Sequence, residues 1–181
     1  MAVNQVFKKL SKYYHENKLS HVYLLETNDE EKCLSDLLEL IKEMSCLNNY
    51  KSDCNACNIC HLIDENGFPD VMIVRPDGKN IKKEQVLEIQ KRFCYKPLLS
   101  KINAYIIVET EKLNGSSANT MLKFIEEPFE NCYGFFITNN KENVLLTVQS
   151  RCECELVKYD DEISINGEIK DILMPIIKKY L

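Results

Sequence analysis

Short apolar runs alternate along this chain with longer segments in which apolar residues recur at helical spacing. Five apolar runs predict buried strands at 22–25, 71–74, 104–108, 134–138 and 152–157. Helical spacing predicts helices at 2–18, 30–45, 86–93, 118–125 and 144–148. This alternation predicts an α/β domain with a five-stranded, largely parallel sheet flanked by helices and ending near Tyr159.

The predicted sheet domain occupies residues 1–160 and is interrupted once. Residues 46–61 are dense in asparagine, aspartate and cysteine, which predicts a small, loop-rich insert. Residues 161–181 are predicted to be helical, with Pro175 in the helix or near its start, and to begin a second structural unit.

Composition and charge narrow the class of protein. The chain has 181 residues, 45% of them hydrophobic and 28% charged, as in soluble globular domains. No apolar run approaches the roughly 18 residues that a membrane helix needs. The net charge of −5 argues against a protein whose main task is to bind nucleic acid. A solvated lysine-rich face is the favoured interpretation of the local basic stretch, which consists of Lys79, Lys82, Lys83, Lys91, Arg92, Lys96 and Lys101.

The nine cysteines point to metal binding in a reducing compartment. The first 19 residues are polar and lysine-bearing and do not form a secretory signal, so we expect a cytoplasmic protein. Cys46, Cys54, Cys57 and Cys60 have the spacing C-x7-C-x2-C-x2-C, which predicts a structural zinc site with four thiolate ligands. His61 is an alternative fourth ligand, and an iron–sulfur cluster is a weaker alternative. The remaining five are predicted to be small core residues: Cys33, Cys94, Cys132, Cys152 and Cys154.

A phosphate-binding loop is missing where an α/β domain would place one. The turn at 26–32 has no glycine, and four of its seven side chains are acidic, which would repel a triphosphate. Lys32 is the only basic residue of that turn. After the third strand, Val108 stands where a carboxylate would hold Mg²⁺, although Glu109 follows it. These two positions predict that the chemistry of nucleotide hydrolysis has been lost.

Four motifs, in order, resemble a known family. They are HVYLLE at 21–26, LNGSSANTMLKFIEEP at 113–128, FFITNN at 135–140 and SRC at 150–152, and the four-cysteine insert falls where this family carries a zinc module. Over residues 5–158 the chain resembles the AAA+ clamp-loader subunits of bacterial DNA polymerase III. The resemblance implies a RecA-like AAA+ domain over 1–160, a zinc module at 46–61, and the start of a helical lid at 161–181.

Within that family, the missing phosphate loop resembles the delta-prime-type members, which do not hydrolyse ATP, more than the gamma/tau-type members. The resemblance then implies a degenerate nucleotide site at Thr27, Lys32, Glu109 and Thr138, with no productive nucleotide binding and no intrinsic ATPase. It implies that Arg151 acts in trans on the ATP site of a neighbouring subunit, while Ser150 shapes the turn and Cys152 packs inward.

The same resemblance implies partners. These are the gamma/tau and delta clamp-loader subunits, the sliding clamp indirectly, and primer–template DNA within the complex. Two departures stand out: the first cysteine gap is one residue shorter than usual, and family members continue past the equivalent of Leu181 into a lid and a helical collar. We therefore expect a monomer in isolation. Two alternatives remain open, an ATP-hydrolysing gamma/tau-type subunit and a zinc-bearing nucleic-acid-binding module.

Overall fold

The computed structural model describes residues 4–47 and 57–160. In this part of the chain, five parallel strands form one sheet in the order β2-β3-β4-β1-β5. The strands are β1 (Val22–Thr27), β2 (Val71–Val74), β3 (Asn103–Ile107), β4 (Cys132–Thr138) and β5 (Glu153–Val157). The helices are α1 (Gln5–His15), α2 (Glu30–Ser45), α3 (Asn58–Asp64), α4 (Lys83–Phe93), α5 (Gly115–Glu126) and α6 (Leu146–Gln149).

The predicted α/β class and five-stranded sheet are confirmed, and the sheet is parallel throughout. The prediction of a loop-rich insert was wrong for its last four residues, 58–61, because α3 begins at Asn58. The Cys57 thiol at its N-cap accepts from the Cys60 backbone N–H at 3.4 Å. Residues 48–56 of the insert and the expected lid at 161–181 lie outside the described residues.

Both faces of the sheet are covered, which explains the nearly continuous apolar strands. On β3, Ala104 and Ile106 face a core shared with α1, α2 and α3, whereas Tyr105 and Ile107 face a core shared with α4, α5 and α6. Alternate side chains of one strand therefore belong to different cores. In the described ranges, no helix combines the length and apolar character needed to cross a membrane.

The five non-cluster cysteines do not all lie in these cores. Cys33 and Cys132 are buried as predicted, and Cys152 is half-buried. The core prediction was wrong for Cys94 and Cys154, which are exposed. Cys94 follows the last residue of α4, where its thiol donates to the carbonyl of Lys91, and Cys154 lies on β5, the edge strand.

The parallel strands give the sheet two opposite edges, one at the carboxyl ends of the strands and one at their amino ends. Because all strands are parallel, Thr27, Glu109 and Thr138, which end or follow β1, β3 and β4, share one edge, called here the carboxyl edge. Arg151 precedes β5 and therefore lies at the opposite, amino edge. Glu153 of β5 is level with Tyr23, and Val157 is level with Thr27. The four-residue step between these two levels spans about 13 Å, so the amino and carboxyl edges lie at least that far apart.

A glycine in β4 makes room for a large buried ring. Gly134 pairs with Tyr105 of β3, and a Cβ atom added at Gly134 would lie 2.2 Å from the ring's Cζ and hydroxyl oxygen. Tyr105 is 2% exposed and packs on Phe124 at a ring-centroid distance of 5.1 Å, so it has little room to move.

We therefore expect Gly134→Ala to lower the free energy of unfolding by about 3 kcal/mol through overpacking. The measurement is chemical denaturation of the purified chain. Gly115→Ala is the matched control, since no atom lies within 4 Å of a Cβ added there and the site is helical. Equal stability of the two variants would contradict the close packing of Tyr105 on Gly134.

Candidate functional site

The turn after β1 uses its own groups to satisfy the first turn of α2. The Thr27 hydroxyl accepts from the Asp29 backbone N–H at 3.2 Å, and the Asp29 carboxylate accepts from the Lys32 backbone N–H at 3.0 Å. Asp29 is the N-cap of α2, and Glu30 and Glu31 follow it. N–H donors and the positive end of the helix dipole bind phosphate in nucleotide-binding folds, but here one such donor is bound to a carboxylate, another to a hydroxyl, and two further carboxylates lie in the first turn.

Tyr159 lies across the same turn. Its backbone carbonyl accepts from the Asn28 side chain at 2.8 Å, and its backbone N–H donates to the Asn28 side-chain oxygen at 2.9 Å. The tyrosine hydroxyl donates to Asp36 at 3.0 Å, and the Lys32 ammonium lies 5.1 Å from the ring centroid. Burial, with the nearby Cys33 and Asp36, raises the pKa of Tyr159 above its usual range. Lys32 is thus engaged with an aromatic ring of its own chain.

Carboxylates occupy the remainder of the carboxyl edge. Burial, followed by repulsion from Glu111 and Glu109, raises the pKa of Glu30. The Oε1 atom of Glu30 is buried and accepts no hydrogen bond from any residue in the ranges 4–47 and 57–160. Glu109 has a left-handed backbone with φ of 55°, and the buried Thr138 hydroxyl donates to Glu111 at 2.7 Å. This local field disfavours a triphosphate.

One guanidinium does lie near this edge, but a carboxylate neutralises it. Arg75 follows β2 and forms a two-point ion pair with Glu31, with nitrogen–oxygen distances of 2.8 and 3.0 Å. Such a paired fork is a strong and geometrically specific contact. The structure therefore brings together the predicted Thr27, Glu109 and Thr138, and surrounds them with groups that oppose an anion.

Arg151 lies at the amino edge, in the turn between α6 and β5. Its Nε donates to the Glu126 carboxylate at 2.6 Å, and its Nη1 donates to the Thr147 carbonyl at 3.0 Å and to the Ser150 hydroxyl at 3.3 Å. The side chain is 37% exposed. The partnership with Glu126 was not predicted from the sequence, because the two residues are 25 positions apart.

The two residues flanking Arg151 stabilise its turn. The Ser150 hydroxyl donates to the Thr147 carbonyl at 3.3 Å, and the Cys152 backbone N–H donates to the Gln149 carbonyl at 3.3 Å. Cys152 is half-buried against the core that α4, α5 and α6 form, and burial raises the pKa of its thiol to about 12. The Ser150 hydroxyl and the half-buried Cys152 thus hold the ends of the turn that carries Arg151.

Three of the four predicted metal ligands converge. The sulfur atoms of Cys46, Cys57 and Cys60 lie within 4.8 Å of one another, with 3.9 Å from Cys46 to Cys57 and 3.3 Å from Cys57 to Cys60. Four thiolates around one zinc ion lie about 3.8 Å apart, since each Zn–S bond is about 2.3 Å. The donor set and spacing fit zinc. Cys54 lies outside the described residues.

His61 does not join this cysteine cluster. Its side chain is 71% exposed, and its Nδ1 lies 3.4 Å from a Glu65 carboxylate oxygen. Among the described residues, the groups close enough to share one ion are the three cysteines alone. The alternative in which His61 completes the metal shell therefore receives no support from the geometry.

The cysteine cluster is tied to the body of the domain through α3. Ile59 and Ile63 of α3 are buried in the core, and the Lys42 ammonium of α2 lies 2.5 Å from the Asp64 carboxylate at the end of α3. The Lys42 side chain is only 10% exposed and also pairs with Glu39. A metal bound here would close the insert onto α2.

Comparison with known proteins places the chain in a family. A family model described as DNA polymerase III, delta subunit, matches residues 2–159. The delta' subunit of DNA polymerase III from Bacillus subtilis is 34% identical over 149 residues, which are 82% of this chain and 45% of that protein. The DNA polymerase III tau/gamma subunit from Haemophilus influenzae is 27% identical over 159 residues, 87% of this chain and 23% of that protein.

A solved structure shares the fold. The crystal structure of a DNA polymerase III gamma subunit-related protein from Thermotoga maritima superposes with a TM-score of 0.66 and 22% identity, over 86% of this chain and 47% of that one. The chain spans less than half the length of the two curated relatives. On the match of residues 2–159, the chain belongs to the DNA polymerase III delta subunit family.

Proposed function

We propose that this chain is the nucleotide-binding-type domain of a delta-prime-like clamp-loader subunit that does not hydrolyse ATP and supplies Arg151 to the ATP site of a neighbouring subunit. The observation that carries the proposal is the combination of a blocked carboxyl edge with a presented arginine at the amino edge. Asp29 already accepts from the Lys32 backbone N–H at the start of α2, and Tyr159 is hydrogen-bonded to Asn28 across the same turn. Arg151 is at least about 13 Å away, too far to serve that edge of its own chain.

The chemistry of phosphoryl transfer explains why an arginine is suited to this role. Negative charge develops on the oxygens of the transferred γ-phosphate, and a guanidinium delivered from a second subunit stabilises it. Arginine stays charged at all relevant pH values and donates from a planar fork. Because its backbone turn is anchored by Ser150 and Cys152, Arg151 would be presented in a defined place.

The proposed assembly follows from the relatives. Delta' and tau/gamma subunits of DNA polymerase III are among the proteins this chain is similar to. We therefore propose gamma/tau and delta subunits as direct partners, and the sliding clamp and primer–template DNA as components met in the full complex. The cysteine cluster would hold a structural zinc ion, with no place in the reaction. The cytoplasmic location expected from the sequence stays a prediction.

A nucleotide titration separates this proposal from the ATP-hydrolysing alternative. We expect no saturable binding of ATP with Mg²⁺ to the isolated chain at concentrations up to about 1 mM, because anionic groups and internal hydrogen bonds occupy the carboxyl edge. Isothermal titration calorimetry is the measurement, and a gamma/tau-type subunit is the positive control. Micromolar binding to this chain would contradict the proposal and favour a gamma/tau-type subunit.

A further inference from the structure

Glu126 holds the Arg151 side chain from a rigid position. It is the last residue of α5, and the preceding residues Met121 and Ile125 are buried in the core, so the backbone of Glu126 has little freedom. The carboxylate oxygen of Glu126 accepts from Arg151 Nε at 2.6 Å. The contact joins two segments, the end of α5 and the turn before β5, that are 25 residues apart.

The pattern of hydrogen bonds orients the guanidinium. Nε is bound by Glu126, and Nη1 is bound by the Thr147 carbonyl and the Ser150 hydroxyl. Nη2 donates no hydrogen bond to any residue within 4–47 or 57–160. Two of the three guanidinium nitrogens are therefore held within the subunit, while Nη2 is left to donate to another acceptor.

We propose that Glu126 is the positioning residue for Arg151, holding the guanidinium by Nε so that Nη2 is directed at the phosphate of the neighbouring subunit. This inference rests on the proposed function. An exposed arginine otherwise samples many rotamers, and each must be given up when the phosphate is bound. A contact already formed in the free subunit removes part of that entropic cost and fixes the approach of the donor.

Glu126 could in principle have the opposite role and keep the Arg151 guanidinium away from the phosphate of the neighbouring subunit. Withholding would require Nη2 to be bound within the subunit, whereas the Glu126 carboxylate binds Nε, and no residue within 4–47 or 57–160 accepts from Nη2. Both side chains are also substantially exposed, at 37% for Arg151 and 49% for Glu126, so water screens the charge of the carboxylate. We therefore expect the benefit of orienting the Arg151 guanidinium to exceed the cost of partly neutralising its charge.

The test uses the natural full-length subunit assembled with its gamma/tau and delta partners. The steady-state ATPase rate is measured while the concentration of this subunit is varied, which yields a maximum rate and a half-saturating concentration. We expect Glu126→Ala to lower the stimulated maximum rate about tenfold, since small misplacement of a reacting group is costly, with the half-saturating concentration changed less than about twofold. Glu126→Gln, whose amide oxygen still accepts from Nε, should restore most of the rate.

Further variants distinguish the possible failures. Glu127→Ala removes the adjacent, exposed carboxylate and should behave like the unaltered protein. Adding Glu126→Ala to Arg151→Ala should cause no further loss, because the two residues act through one donor. An unchanged or increased maximum rate in Glu126→Ala would overturn the inference, as would a loss that Gln does not rescue. If Arg151→Ala leaves the maximum ATPase rate unchanged, the proposed function itself is wrong, and the inference about Glu126 falls with it.

Discussion

Replacing Arg151 by alanine is expected to slow ATP hydrolysis at the adjacent subunit's site by about 10³-fold or more, the size of effect that a trans-acting arginine has in phosphoryl transfer. The loss should appear in single-turnover hydrolysis by the assembled complex. Assembly should be unaffected, because the Arg151 side chain is exposed and its contacts lie within the turn and to Glu126. The rate of clamp loading by the same complex should fall together with the rate of ATP hydrolysis.

Arg151→Lys is the informative companion variant. Lysine keeps the positive charge but carries all its donors on one tetrahedral nitrogen, so it cannot be held by one nitrogen at Glu126 while a second, coplanar nitrogen reaches the phosphate. We expect its rate to lie much closer to that of Arg151→Ala than to that of the natural protein. Full activity in either variant, with intact assembly, would show that Arg151 does not act at the neighbouring site.

Removal of zinc is expected to have the second large effect, on stability. Elemental analysis should find about one zinc ion per chain, and chelation should lower the free energy of unfolding by about 3 kcal/mol, or the melting temperature by about 10 °C. The physical reason is that α3 has only seven residues, too few to be stable alone. Thermal unfolding with and without chelator is the measurement.

Cysteine variants make this result specific. Cys57→Ser should lose the metal and match the chelated protein, because Cys57 contributes to the cluster and also caps α3. Cys94→Ser is the control, since Cys94 is exposed and lies outside the cluster. A chain that contains no zinc, or one whose unfolding temperature does not respond to a chelator, would refute the metal assignment. Visible absorption would indicate an iron–sulfur cluster instead.

The sequence predicted the sheet well for a physical reason. Strands buried on both faces must be apolar throughout, so each one stands out against its polar boundaries. Helix α3 was missed because it is one short segment that follows a run of polar residues and cysteines, and two buried residues, Ile59 and Ile63, do not establish a helical period.

The features of the candidate site also differ in whether the sequence alone reveals them. The carboxylate-rich turn at 26–32 is visible in the sequence because it consists of a few consecutive residues, where glycine is absent and carboxylates are present. The contacts of Tyr159 with Asn28 and of Glu126 with Arg151 join positions 131 and 25 residues apart, so no local pattern reveals them. The glutamate pair of the motif at 113–128 offered one signal, since Glu126 is part of it.

A structure of the assembled complex, trapped with ADP and beryllium fluoride to mimic bound ATP, would show directly where Arg151 lies. We expect an empty carboxyl edge in this subunit, still covered by Tyr159. We also expect Arg151 Nη2 within hydrogen-bond distance, about 3 Å, of the trapped phosphate mimic in the neighbouring subunit. Nucleotide bound beside Thr27 and Lys32 of this chain, or Arg151 facing solvent away from every nucleotide, would contradict the proposed function.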